Sequence, residues 1–267
     1  MNRLVAFTAL VLMAFSSCKD DAQTQEPVAE SSQPEVSIDK QYRPLLHLFT
    51  STNCGGCGRF GIPVFSTVAE EMGDSILALP THFKYEDPYI NETSLAIEKA
   101  IVQSYHSPQI WVNEKEITYT ILPYSLANAQ AKTKELLREQ LSKEPEAYVG
   151  LEYKFKSNGR YEVRYAVERN AATKQRLLVE VYAMEDGLIA SQAGADPHVA
   201  THYRVNRGGY FGKMGTEIPA EVGGITRKTI EVVPCWNCSA TDLYFYIVVW
   251  RELSGGRYEY VNGKVVK

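Results

Sequence analysis

The sequence predicts two folded parts in tandem, an α/β domain over residues 42–144 and an all-β sandwich over residues 145–267. Three observations carry this. Apolar runs and helical periodicities alternate as far as residue 144, the pattern of strands joined by helices. A Cys54-Gly55-Gly56-Cys57 motif falls where the first apolar run gives way to the first helix. Beyond residue 145 the spacing switches to alternating segments separated by Asn, Ser and Gly, the mark of antiparallel strands.

The 267 residues are 45% hydrophobic and 22% charged, enough apolar material for a substantial core. The net charge is −4, no basic cluster stands out, and no nucleic-acid partner is expected. Residues 1–17 read as an export signal: Arg3 gives the positive start, residues 4–15 the apolar stretch, and Ser16 and Ser17 are small. The stretch is too short for an ordinary transmembrane helix. The small pair before Cys18 resembles the lipobox of bacterial lipoproteins. That resemblance implies cleavage before Cys18 and a diacylglycerol on its sulfur; loss of Arg3 then takes the charge from −4 to −5. Lys19-Asp20-Asp21 resembles the short acidic tract that directs lipoproteins of one Gram-negative phylum to the outer leaflet. The resemblance implies lipid anchoring in the outer membrane, at the cell surface or, as the alternative, facing the periplasm. Residues 18–41, rich in Gln, Glu, Ser and Pro, read as a flexible tether behind the lipid.

Residues 45–49 are apolar except for His47 and read as a buried strand. Asn53 suits a helix N-cap, and a helix is expected from the cysteines to about Met72, closed by Gly73-Asp74. Residues 75–83 form the next strand, with Pro80 arguing for an edge or strand-end position. Residues 92–105 carry helical spacing at Leu95, Ala96, Ala100 and Ile101, stopped by His106-Ser107-Pro108. Residues 109–113 make a short strand, 116–121 its hairpin partner, and 126–141 a final amphipathic helix.

Two thiols three positions apart at a strand-to-helix turn have the geometry of a redox pair. The helix N-terminus favours a thiolate at Cys54, and Cys57, one turn on, closes a ring with it to resolve a mixed disulfide. A lone C-x-x-C also suits a structural disulfide or half of a zinc site; the strand before it and the helix after it favour redox.

With these elements in order the domain resembles the thioredoxin fold. Cys54 and Cys57 match its active-site motif, and Pro108 matches the proline that is cis in that family and faces the cysteines. Pro63 falls where such proteins kink the active-site helix. Three segments, 48–57 (LFTSTNCGGC), 77–88 (LALPTHFKYEDP) and 107–113 (SPQIWVN), resemble secreted and outer-membrane thioredoxin-like lipoproteins of poorly known function. There a histidine sits where His82 does, either lining the redox site as a proton acceptor or serving as a satisfied structural residue. One departure stands out: the buried acid that thioredoxins often carry six positions before the first cysteine is Leu48 here, so no proton relay for Cys57 is identified. Arg59 is a candidate for lowering a thiol pKa.

The second domain starts with alternation over residues 147–156, an Asn158-Gly159 turn, and alternation over 161–168. Residues 177–184, 225–233, 243–250 and 258–261 are further strands, and 243–250 (LYFYIVVW) is the most apolar of them. About seven strands with turns between predict an antiparallel, immunoglobulin-like sandwich. Residues 196–210 read as a polar loop; His198 and His202 have metal spacing only on a helix, which is not expected there. Cys235 and Cys238 form a second C-x-x-C that leads into a strand. With no helix dipole, a tight structural disulfide is the first reading. A second redox pair, and a soft-metal site if the two pairs meet, are the others.

Two functions fit. One is a thiol–disulfide oxidoreductase acting on protein thiols and disulfides of the cell envelope through Cys54 and Cys57, with no cofactor. The other is a non-catalytic envelope binding module with a permanent disulfide in a thioredoxin-like scaffold.

Overall fold

The computed structural model describes residues 35–267 apart from 103, 213, 236, 237 and 240. The export signal, Cys18 and most of the expected tether lie outside the described residues. Residues 35–267 form one compact unit.

A four-stranded sheet comprises β1 (Leu45–Thr50), β2 (Leu77–His82), β3 (Gln109–Val112) and β4 (Lys115–Glu116), in the order β2-β1-β3-β4. β1 runs parallel to β2 and antiparallel to β3. Among the described residues the α-helices are α1 (Ile62–Met72), α2 (Glu92–Ile101), α3 (Thr118–Ile121) and α4 (Leu126–Arg138). β1 is central and buried along its whole length, which explains its unbroken apolar run. Leu46 and Leu48 pack with Val64, Phe65 and Val68 of α1 and Leu137 of α4. Leu45 and Phe49 point to the opposite face.

Two expected boundaries shift. α2 opens with a capping box between Asn91 and Ser94 and ends at Ile101, because Val102 turns extended. Of the strand expected over 116–121, only Glu116 stands in the ladder, and the Ile117 N–H donates to the Ile110 carbonyl at 2.8 Å before the chain turns away. The Thr118 hydroxyl accepts the Ile110 N–H and takes the place of a ladder carbonyl, while Thr120 and Ile121 turn their N–H groups back to Ile117, starting α3.

The remaining strands are β5 (Ala147–Phe155), β6 (Tyr161–Arg169), β7 (Leu177–Glu185), β8 (Leu188–Ser191), β9 (Val199–His202), β10 (Val205–Gly209), β11 (Thr216–Glu217), β12 (Ile225–Val232), β13 (Leu243–Glu252) and β14 (Tyr258–Val266). A sheet of order β10-β7-β13-β14, with β11 also on β7, faces a sheet of order β12-β6-β5. The side chains between them, among them Val163, Tyr165, Val179, Phe245 and Ile247, make the sandwich core. The polar segment expected as a loop over 196–210 instead contains β9 and β10, and β8 pairs with β9 in a separate hairpin.

The run of β13 lacks polar alternates because both of its faces are covered. Leu243, Phe245, Ile247 and Val249 face the sandwich core. Tyr244, Tyr246, Val248 and Trp250 face Leu45, Phe49, Leu77, Leu79 and Trp111 of the first sheet. The Trp250 indole N–H donates to the Tyr182 hydroxyl at 2.9 Å, and the Tyr246 hydroxyl to the Ala78 carbonyl at 3.0 Å, so the buried polar tips are satisfied. This shared layer is what carries the β-rich half up to the cysteine turn.

Candidate functional site

After β1 the chain turns sharply. Cys54 N–H donates to the Ser51 carbonyl, and the N–H groups of Cys57 and Gly58 donate to the Cys54 carbonyl. Asn53 is not the cap: it is exposed and its amide donates to the Tyr85 carbonyl. The capping role falls to the sulfur of Cys54, which accepts the Cys57 N–H at 3.1 Å. This donor and the start of the helix both favour negative charge on that sulfur. Cys54 and Cys57 are disulfide-bonded, with Cα atoms 5.2 Å apart.

Residues Cys57–Gly61 wind as a widened π-type turn in which the Ile62 N–H reaches the Cys57 carbonyl five residues back. Pro63 has no N–H to offer the carbonyl four residues before it, so the normal helical ladder cannot close here.

Pro108 lies against this turn. Its peptide bond with Ser107 is cis. A Cβ on Gly56 would stand 3.2 Å from Pro108 Cδ, and one on Gly61 only 2.6 Å from Pro108 Cβ. The Ser107 hydroxyl is 3.2 Å from Cys57 Sγ. Cys54, Cys57 and Pro108 are thus brought together. Arg59 is exposed and folds back over Gly55, where its guanidinium would be 3.4 Å from an added Cβ.

The pair is covered. Cys57 is fully buried and Cys54 only 6% exposed. The cover comes from the turn between β8 and β9. Ala193 N–H donates to the Thr52 carbonyl at 2.7 Å, and the Gln192 amide donates to the carbonyls of Ser51 and Cys54 at 3.2 and 3.3 Å. Gly58 admits this segment: a Cβ there would lie 2.2 Å from the Ala193 carbonyl oxygen. Beside it opens a cleft of about 490 Å³, with Arg59 and Pro63 on one wall and Gln192 and Asp196 on the other.

His82 is tied to a buried carboxylate. Its Nδ1 bonds to Asp87 Oδ2 at 2.8 Å, and the same oxygen accepts the Thr52 N–H at 2.6 Å. Burial opposes ionisation of Asp87, but the His82 bond and charge and the N–H groups of Tyr89 and Thr52 outweigh it and hold the carboxyl below the usual range. His82 therefore positions the cysteine turn through Asp87. His202 stacks edge-on against it with ring centroids 5.7 Å apart, and burial, then the His82 charge, pushes its pKa down to about 4. His198 is exposed on the turn, so the two histidines of the H-x-x-x-H spacing do not converge. Among the described residues no three His, Cys, Asp or Glu side chains are grouped to hold a metal ion.

The chain shares its fold with HBP35 of Porphyromonas gingivalis. That structure superposes with a TM-score of 0.66 at 14% identity over 86% of this chain and 76% of its own. A domain of the outer membrane lipoprotein Omp28 from Porphyromonas gingivalis matches at 16% identity, over 46% of this chain and 88% of its own, with a TM-score of 0.29. A DUF3823 family protein from Bacteroides ovatus matches at 17% identity over 46% of this chain and 54% of its own, also at 0.29. No family model and no curated protein matches the sequence.

Cys235 and Cys238 also form a disulfide, with Cα atoms 5.1 Å apart, on the link from β12 to β13. Sequence reasoning missed the Gln192–Ala195 cover. Its only trace is a run of small residues, Ala193-Gly194-Ala195, inside a polar stretch.

Proposed function

We propose that this chain is a thioredoxin-like thiol–disulfide oxidoreductase of the cell envelope, working through Cys54 and Cys57. The observation that carries the reading is the Cys57 N–H on Cys54 Sγ at the start of a helix, with Pro108 packed on the same turn. When the pair is reduced, the Cys54 thiolate attacks a partner disulfide, forming one sulfur–sulfur bond and releasing one partner thiolate. Cys57 then gives up its proton and attacks Cys54 Sγ, which restores the Cys54–Cys57 bond and releases the second partner sulfur. Two electrons pass from the dithiol to the partner. The reverse sequence oxidises a partner dithiol. Pro108 positions the turn, and the Ser107 hydroxyl, 3.2 Å from Cys57 Sγ, is placed to hydrogen-bond that sulfur, which attacks in the first direction and leaves in the reverse one. The partners are protein thiols and disulfides of the envelope, reached after the 192–195 segment swings away. Attachment through a lipid on Cys18, in the outer membrane at the cell surface or facing the periplasm, belongs to the same reading and rests on the N-terminal sequence.

The burial of both sulfurs favours a second reading, an envelope binding module whose Cys54–Cys57 bond is structural. Turnover separates the two. The full mature chain should catalyse reduction of a disulfide-bearing peptide by dithiothreitol; Cys54→Ser should abolish this, and Cys57→Ser should accumulate a mixed disulfide with the peptide. Equal rates for wild type and Cys54→Ser would leave the binding module as the function.

A further inference from the structure

The second cysteine pair differs from the first in one respect: both of its sulfur-bearing residues are partly exposed. It lies on the link that crosses from one sheet of the sandwich to the other, just after Pro234. Among the described residues of this link no helix starts. A cation does the work a helix terminus would do. Arg207 of β10 points Nε at Cys238 Sγ, 3.3 Å away, and a terminal nitrogen at Cys235 Sγ, 3.7 Å away. Arg207 is almost fully buried, with 8% of its side chain exposed, so its charge is little screened by water.

The arrangement is held from below. Glu185 of β7 pairs with Arg207 Nε at 3.1 Å and accepts the Ser239 N–H at 2.9 Å, which fixes the chain just past Cys238. Cys238 packs on the sandwich core, and Cys235 beside it is partly exposed. A cleft of about 230 Å³ opens beside the pair, lined by Tyr210, Val232, Val233, Leu243 and Phe245. A purely structural disulfide needs neither a cation on its sulfurs nor an open apolar cleft at its side.

We propose that Cys235 and Cys238 form a second redox-active pair, opened by a partner protein dithiol whose apolar flank fits this cleft, with Arg207 holding the departing Cys238 sulfur as a thiolate. One thiolate of the partner attacks Cys235 Sγ. The Cys235–Cys238 bond breaks, a mixed disulfide forms, and Cys238 leaves as a thiolate against Arg207 Nε. The partner's second thiol then loses its proton and attacks its own sulfur in the mixed disulfide, leaving the partner oxidised and Cys235 free. Two electrons pass from the partner dithiol to this chain. The site is independent of Cys54 and Cys57.

The charges around Cys238 are Arg207, Glu185 and, across Ser239, Asp242, whose carboxylate accepts the Ser239 hydroxyl at 2.6 Å. The two acids oppose a thiolate, but of these three charges the guanidinium is the one in contact with the sulfur, and a contact hydrogen bond from a cation outweighs charges one group further away.

The test uses the full mature chain carrying Cys54→Ser and Cys57→Ser, with mass-spectrometric mapping of Cys235 and Cys238 after alkylation; the unsubstituted chain, mapped peptide by peptide, serves if that background does not fold. The pair should be reduced by dithiothreitol while the chain stays folded. Cys238 should then alkylate with a half-maximal pH at least one unit below the 8.5 or so of an ordinary thiol. Arg207→Gln should raise that midpoint by about one unit, a tenfold loss of thiolate at neutral pH, and Arg207→Lys should recover part of it. If Arg207→Gln unfolds by stranding Glu185, the double variant Arg207→Gln/Glu185→Gln removes both charges and should show the same upward shift. A bond that resists reduction until the chain unfolds, or a midpoint unmoved by loss of Arg207, overturns the proposal.

Discussion

Ala193 gives its backbone N–H to the carbonyl of Thr52 at 2.7 Å, and by that bond the turn of the β8–β9 hairpin lies over the cysteine turn. Gln192 adds two longer bonds from its amide, to the carbonyls of Ser51 and Cys54. Each is worth about 0.5–1.5 kcal/mol net. Gln192→Ala should therefore raise the open population, and with it the rate at which dithiothreitol reduces Cys54–Cys57, by about tenfold, without loss of fold. Rates measured by quenched alkylation check this; an unchanged rate would mean that the segment does not gate the pair.

Gly194 makes the same point by a stronger perturbation. Its φ is +80°, and a Cβ on it would stand 2.1 Å from the Gly55 carbonyl oxygen. No neighbouring side chain can give way, because the obstacle is backbone. Gly194→Ala should detach the segment, cost about 1–3 kcal/mol of stability, and make Cys54 alkylable after mild reduction. Denaturant melts and alkylation mapping on the same sample read both effects.

Gly61→Ala sets helix propensity against packing. Inside a helix Ala gains about 1 kcal/mol over Gly. Here the new methyl would press 2.6 Å from Pro108 Cβ and 3.0 Å from its Cγ, against a rigid ring. Overpacking of this kind costs about 1–3 kcal/mol, so the net effect should be a lower Tm and a weakened Cys57–Ser107 contact. A rise in Tm would contradict the packing of Pro108 on this turn.

Glu180 sits in the middle of β7, fully buried, accepting the N–H groups of Val181 and Phe211 through one oxygen. Burial pushes its pKa up to about 8, against which the N–H groups of Phe211, Val181 and Tyr210 pull only partly. The folded chain then binds a proton that the unfolded chain releases near pH 4.5. Stability is fully present below that pH and falls as pH rises towards 8, by up to about 1.4 kcal/mol per unit. Glu180→Gln should flatten this slope and be more stabilising at pH 8 than at pH 5, as urea melts at the two values would record.

Much of this was legible from residue types alone. The apolar run of β1, the turn at Cys54 and the six main strands of the sandwich follow from periodicity and punctuation, whereas the place of Pro108 beside that turn is what the resemblance to the thioredoxin fold implies. Three features were not. Thr118 reads as a strand residue, and only its hydroxyl on Ile110 N–H diverts the chain into α3. Asn53 is a good cap by type, but Tyr85 claims its amide and the Cys54 sulfur takes its place. Arg207 reads as a solvated charge between two glycines and Asn206; nothing local says that it meets sulfurs 28 and 31 residues away. Long-range contacts made by polar side chains leave no periodic trace in a sequence, whereas buried apolar faces do.

Electron exchange through Cys54–Cys57 has a direct equilibrium readout. It is read by equilibrating the full mature chain in mixtures of reduced and oxidised glutathione and mapping the reduced fraction at those two cysteines. The pair should be half reduced within the range such mixtures can buffer. A pair that stays wholly oxidised in a thousandfold excess of reduced over oxidised glutathione would contradict it.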